Sequence, residues 1–208
     1  MSARVDRVVT SGIFSLDGQD FEVDNNVWLV GDDEEVLVVD AAHDASRILE
    51  AVGSRRVVGI LCTHSHNDHV NAVQSLLANI DGPAYLHPAD TMLWDVINAG
   101  VPFTPLDDGD RISVAGIEAE IIHTPGHSPG GVCVYLPDLG VLLSGDTLFH
   151  GGPGATGRSY SDFPTILDSI RERLLTLPPE TRVLTGHGDE TTIGAEAGSY
   201  EAWVARGH

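Results

Sequence analysis

Short apolar runs rich in Val and Ile recur along the whole chain, and most of them stop at a turn signal or a polar step. They read RVDRVVT, NNVWLV, EVLVVD, VVGILCT, AYLH, RISVAG, IEAEIIHT, GVCVYL, GVLLSGD and RVLTGH. β-Branched runs of this length fit strands, and LDG, GDDE, DDGD and LPDLG between them fit turns. Helical periodicity fills the gaps. ASRILEAVG is one short helix. DHVNAVQSLLANI places Val70, Val73, Leu76, Leu77 and Ile80 on one face. PADTMLWDVINAG carries Pro88 early and Gly100 just beyond its end. DFPTILDSIRERLLTL stops before Pro178 and Pro179, and GAEAGSYEAWVARG is a weaker last helix. Strands come first and then alternate with helices, which predicts a layered α/β domain with two sheets and outer helices. No linker or low-complexity tract interrupts the pattern, so residues 1–208 read as a single domain.

Composition removes several functions. Eleven basic and 31 acidic side chains give a net charge of −20, a surface that repels polyanions and disfavours nucleic acid. No apolar stretch approaches the roughly 20 residues of a membrane span, and MSARVDRVVTSG lacks a signal-peptide run. The expected address is cytoplasmic, with no membrane partner. Cys62 and Cys133 both lie in apolar runs and are expected as buried free thiols. Nothing in the sequence fixes an oligomeric state.

Against this ordinary background stands THSHNDHV, residues 63–70, directly after the apolar VVGILC. In extended chain His64 and His66 fall on one side. Asn67 or Asp68 is placed to cap a helix beginning near Val70, and Asp68 and His69 leave the turn in different directions. Imidazole and carboxylate together suit zinc or iron, whereas calcium or magnesium would take oxygen alone. Four ligands do not complete two metal sites, so the rest must come from elsewhere. His127 in TPGHSPGG, Asp146 in LLSGDTLF and His187 in LTGHGDE each stand just past an apolar strand, where functional groups collect. GILCTH and RVLTGH echo one another, each an apolar strand closed by a polar step and a histidine.

These residues in this order resemble the metallo-β-lactamase superfamily, marked by H-x-H-x-D-H, a distant His, a bridging Asp and a last His. The resemblance runs from Asp40 to GHGDETTIG and implies the αββα four-layer sandwich, an α/β fold. It also implies two divalent metal ions, zinc first, with iron or manganese as alternatives. His64, His66 and His127 would hold the first ion; Asp68, His69 and His187 the second; Asp146 would bridge them.

TPGHSPGG, GDTLF, Gly157-Arg158 and GHGDETTIG are similar to the glyoxalase II branch, whose members hydrolyse thioesters of a small thiol. Only a short tail with the single cation Arg206 follows His187, so the helical domain with which longer members grip glutathione is not expected. Tyr160 stands where that branch carries an Asp. The chain is similar to compact actinobacterial members that use mycothiol, and its basic residues are all Arg. S-acyl-mycothiol or S-acyl-glutathione is thus the implied substrate. A bridging hydroxide would attack the acyl carbon, with Asp68 holding it in line, and a thiolate would leave. Phe149, His150, Arg158 and Tyr160, in the loop after Asp146, are the implied substrate contacts. A persulfide dioxygenase with one iron, or a lactonase, are the alternatives for the same fold.

The other histidines have plainer readings. His43 is assigned to helix entry and His87 to a strand end. His123 is assigned to fixing a ligand's tautomer, and His208 to a disordered terminus. Asp40 is read as a support for a metal ligand.

Overall fold

The computed structural model describes residues 2–16 and 18–207; the reading of His208 lies outside them. The first sheet contains β1 (Arg4–Leu16), β2 (Gln19–Gly31), β3 (Glu35–Val39), β4 (Arg56–Leu61), β5 (Ala84–Leu86) and β6 (Thr104–Pro105), in that spatial order. β1, β2 and β3 are antiparallel, whereas β4, β5 and β6 add in parallel. The second sheet begins with β7 (Arg111–Val114), β8 (Ile117–His123), β9 (Val132–Leu136) and β10 (Val141–Gly145). A small ladder of β11 (Leu148–Phe149) and β12 (Gly152–Pro153) follows, before β13 (Arg182–Thr185) and β14 (Thr191–Thr192) complete that sheet beyond β10.

Side-chain alternation divides each strand between two packing layers. In β2 and β3, Val27, Leu29, Val36 and Val38 face helices. Trp28, Val30, Leu37 and Val39 face the other sheet, meeting Val134, Leu136, Leu143 and Leu184. In β10 the neighbour Leu142 turns outward to a second helical layer. The first outer layer contains α1 (Ala45–Val52), α2 (Asn67–Val70), α3 (Val73–Leu77) and α4 (Thr91–Ile97); the second contains α5 (Phe163–Ser169), α6 (Ile193–Ala197) and α7 (Tyr200–Arg206). The result is the expected helix–sheet–sheet–helix stack. Cys62 and Cys133 are buried free thiols in it. Among the described residues no helix is long and apolar enough to cross a membrane.

Three helices differ from the periodicity. The run after Asp68 splits into α2 and α3, because the Ala72 N–H leaves the helical ladder and donates to Ala41 O at 2.9 Å. α5 continues into a π-helical turn at Ile170–Leu174, and the last helix breaks into α6 and α7. Neither Asn67 nor Asp68 caps α2. Its cap position is His66, and the Asn67 side chain instead accepts from Ser15 N and donates to Ile13 O. Those two bonds pin the long β1–β2 hairpin beside the motif and bring the Phe14 ring to 5.9 Å from that of His66.

The echo between GILCTH and RVLTGH has a structural counterpart. β4 runs parallel to β3 and β13 runs parallel to β10. Each sheet therefore ends a parallel pair with an acid, Asp40 after β3 and Asp146 after β10. Each also ends it with a histidine, His64 after β4 and His187 after β13.

Candidate metal centre

All seven side chains singled out as metal ligands meet at one edge of the sandwich. His64, His66, Asp68 and His69 leave the end of β4 and enter α2, so the first sheet supplies four. His127 follows β8, Asp146 follows β10 and His187 follows β13, so the second sheet supplies three. Their donor atoms form three overlapping groups, each within 4.8 Å: His64, His66 and His127; His64, His69 and Asp146; Asp68, His69 and His187.

The nitrogens face one another in a way that hydrogen bonding alone does not satisfy. His66 Nδ1 lies 3.1 Å from His64 Nε2 and 2.9 Å from His127 Nε2. His69 Nε2 lies 3.2 Å from His187 Nε2. Three of the rings spend their other nitrogen on an outside acceptor. His69 Nδ1 meets Asp40 Oδ2 at 2.8 Å, His127 Nδ1 meets Ala155 O at 2.7 Å and His187 Nδ1 meets Asp24 O at 2.7 Å. Those acceptors fix the N–H outward and turn the Nε2 lone pairs inward. Asp40 thus orients the His69 ring, and it also accepts from Thr63 N at 2.8 Å.

Two carboxylate oxygens, Asp68 Oδ1 and Asp146 Oδ1, are buried without a hydrogen-bond partner. A buried acceptor in that state is costly unless a positive charge meets it. Convergent imidazole lone pairs and orphaned carboxylate oxygens are the donor set that a divalent transition metal takes. The residues present fit that group. Even the backbone makes room: a Cβ on Gly186 would stand 2.2 Å from Asp146 Oδ1 and 2.8 Å from His69 Cε1.

Charge is unevenly spread across the cluster. Burial, reinforced by the neighbouring rings of His69 and His66, holds His64 well below the usual imidazole range. Burial and then His127 bring His66 to about 3. At the other side burial also opposes charge on His69, but Asp146, Asp68 and Asp40 outweigh it and hold that ring well above its ordinary range. Burial likewise opposes charge on His187, yet Asp146 and Asp68 raise it to about 10. Asp68, whose burial alone would raise it, is brought to about 2 by His69 and His187. Without an ion, one half of the cluster is thus neutral imidazole, while His69 and His187 hold a second proton on Nε2 beside the carboxylates, a proton that a bound cation would displace.

A cavity of about 440 Å³ opens onto the cluster. Phe14 and Val23 from the hairpin, with Phe149 and Ala155 from the loop after Asp146, form its apolar wall. Phe149 thus stands where the sequence reading puts a substrate contact. His150, Arg158 and Tyr160 are not among the residues lining the cavity. His150 is exposed, the Arg158 guanidinium lies 5.7 Å over the Phe21 ring, and Tyr160 is 58% exposed at φ +69°.

Other residues were not legible as parts of the site. Asn25, buried on β2, directs its amide at Asp68, His69 and His187. The clue was a polar pair, Asn25-Asn26, inside an apolar strand. His43 is not simply a helix-entry residue: Asp44 caps α1, and the His43 ring reaches Asn25 at 2.9 Å. His123 does not touch a ligand. It stacks on His87 with centroids 3.9 Å apart and bonds Pro129 O, while His127 takes its tautomer from Ala155. Asp90, buried, ties the two ligand loops together. Its Oδ2 accepts from Ser65 N and Ser128 Oγ, and its Oδ1 accepts from Gly130 N.

Residues 21–187 match the metallo-beta-lactamase superfamily model. The chain belongs to the metallo-beta-lactamase superfamily. Members of this superfamily are in general metal-dependent hydrolases. The chain is 35% identical over 186 residues to the probable metallo-hydrolase YqgX of Bacillus subtilis, covering 82% of this chain and 88% of that one. It is 31% identical over 188 residues to the hydroxyacylglutathione hydrolase GloC of Haemophilus influenzae, covering 82% and 89%. The crystal structure of TTHA1623 in a di-iron-bound form superposes with a TM-score of 0.76 at 35% identity, over 84% of this chain and 93% of that one.

Proposed function

We propose that this superfamily member is a dinuclear metallohydrolase that cleaves thioesters of a small thiol to acid and thiol, in the manner of glyoxalase II. The observation that carries the reading is the convergence of five imidazoles and two orphaned carboxylate oxygens at the floor of an apolar-walled cavity. In this reading His64, His66 and His127 hold one ion, Asp68, His69 and His187 hold the other, and Asp146 lies between them. Zinc or iron suits this set, and similarity to a di-iron protein supports keeping iron in view.

When bound, such a pair supplies Lewis acidity, lowering the pKa of water and stabilising charge on an acyl oxygen. The chain's own residues do the rest. Asp68 accepts at Oδ2 from Asn25 at 3.1 Å, which leaves the unpartnered Oδ1 to face the ion it would hold and to keep the attacking water in line. Phe14, Val23 and Phe149 exclude solvent and seat the acyl group. No general acid is needed, because a thiolate leaves readily with a thiol pKa of about 8.5. The basic side chains among the residues lining the cavity are the imidazoles of His66, His127 and His187.

Metal analysis of the purified protein, paired with acyl-glutathione and acyl-mycothiol hydrolysis, tests the reading. Two ions per chain and thioester cleavage abolished by Asp146→Ala support it. One iron per chain with oxygen uptake on a thiol persulfide, or turnover confined to lactones, would overturn it.

A further inference from the structure

The side-chain amide of Asn25 has its direction set from outside the site. Asn71, exposed at the end of α2, accepts at Oδ1 from the backbone N–H of His43 at 2.6 Å. A backbone N–H is always a donor, so this bond fixes which end of the Asn71 amide is oxygen. Asn71 Nδ2 must then donate to His43 Nδ1, 3.0 Å away. With Nδ1 accepting, the neutral ring carries its proton on Nε2, which donates to Asn25 Oδ1 at 2.9 Å. Asn25 is left presenting only N–H groups to the cluster. Its Nδ2 lies 3.1 Å from Asp68 Oδ2, 3.3 Å from His69 Nε2 and 3.4 Å from His187 Nε2.

Each link has one sense. Reversing the Asn25 amide would set its oxygen against the Asp68 carboxylate and its N–H₂ against the His43 N–H. The backbone is shaped for the relay: His43 holds φ +58°, and Gly12 leaves the ring its space, since a Cβ there would stand 2.2 Å from His43 Nδ1.

We infer that Asn25 is a positioning residue for the Asp68, His69 and His187 half of the centre, and that His43 and Asn71 act through it by fixing its amide as a donor. This rests on the ligand reading proposed above. By occupying Asp68 Oδ2, the amide makes Oδ1 the oxygen available to a cation. The His64, His66 and His127 half receives no contact from Asn25 and is left unaffected.

The test is a cobalt(II) titration of chelator-treated protein, followed by visible absorption and metal stoichiometry. Wild type should take two ions. Asn25→Ala should weaken one of them by roughly 10–100-fold and leave the other alone. His43→Asn, which tolerates the positive φ, and Asn71→Ala, at the exposed end, should weaken the same ion. The double variant Asn25→Ala/His43→Asn should match Asn25→Ala. Equal weakening of both ions, wild-type affinity in Asn25→Ala, or additive losses in the double variant would overturn the inference. A wild type that takes fewer than two ions would instead sink the ligand reading. Nitrogen NMR of the metal-free chain then still decides the relay: His43 protonated on Nε2 alone supports it, and any other state overturns it.

Discussion

His69 and His187 point their Nε2 atoms at each other across 3.2 Å, although 118 positions separate them in the chain. One comes from the first sheet's motif and the other from the end of β13. Removing His187 leaves His69 and Asp68 without the third member of their group. His187→Ala should bind one ion fewer and lose more than about a hundredfold in thioester turnover. Metal content and steady-state kinetics on the same preparation check this. Full occupancy at normal rate would remove His187 from the centre.

His69 owes its orientation to Asp40, which meets Nδ1 and also accepts from Thr63 N–H and Oγ1. Asp40→Ala should weaken metal binding by about 10–100-fold. It should also cost about 1–3 kcal/mol of stability, because buried donors lose their acceptor. Competition with a chelator and urea unfolding of the metal-free chain separate the two effects.

Asp90 carries a pH signature. Burial raises its pKa above the usual carboxylate range, although three donors oppose the shift. A carboxyl with a higher pKa folded than unfolded binds its proton more tightly in the folded state. Its contribution to stability is therefore greatest at acid pH and declines as pH rises through the window above the ordinary aspartate value. Asp90→Asn does not titrate and turns an N–H₂ toward a donor, costing about 1–3 kcal/mol near neutrality. Its deficit relative to wild type should grow as pH falls through that window. Unfolding midpoints of the metal-free proteins between about pH 4 and about pH 7 give the answer, and a deficit that shrinks toward acid pH would reverse the assignment.

Gly186 is held small by the Asp146 carboxylate and the His69 ring. Gly186→Ala forces one of them to move, with strand β13 intact beside it. The expected result is a folded protein, by circular dichroism, that has lost most of its metal. A variant with unchanged metal content would show that the cluster yields more easily than its packing suggests.

The seven converging side chains were readable in sequence because each stands near an abrupt boundary. His64 to His69 follow soon after the apolar strand β4, and His127, Asp146 and His187 each lie within a few residues of the end of another. The strands were readable for the same reason, since alternation repeats every two residues. What escaped was set by partners distant in the chain. The fate of the Ala72 N–H depends on Ala41, so the break between α2 and α3 carries no local mark. Asn25, His43 and Asn71 meet only after β2, the turn before α1 and the end of α2 pack together. Asp90 looks like any acid after a proline until Ser65 and Gly130 close on it.

Four of the seven converging side chains leave one sheet and three leave the other. An ion gripped by both sets is thus also a rivet through the seam of the sandwich. The sheets cannot part there without surrendering it. Every tenfold excess of free ion over its dissociation constant adds about 1.4 kcal/mol against that parting. Metal supply would then govern how long the folded chain survives as well as how fast it turns over.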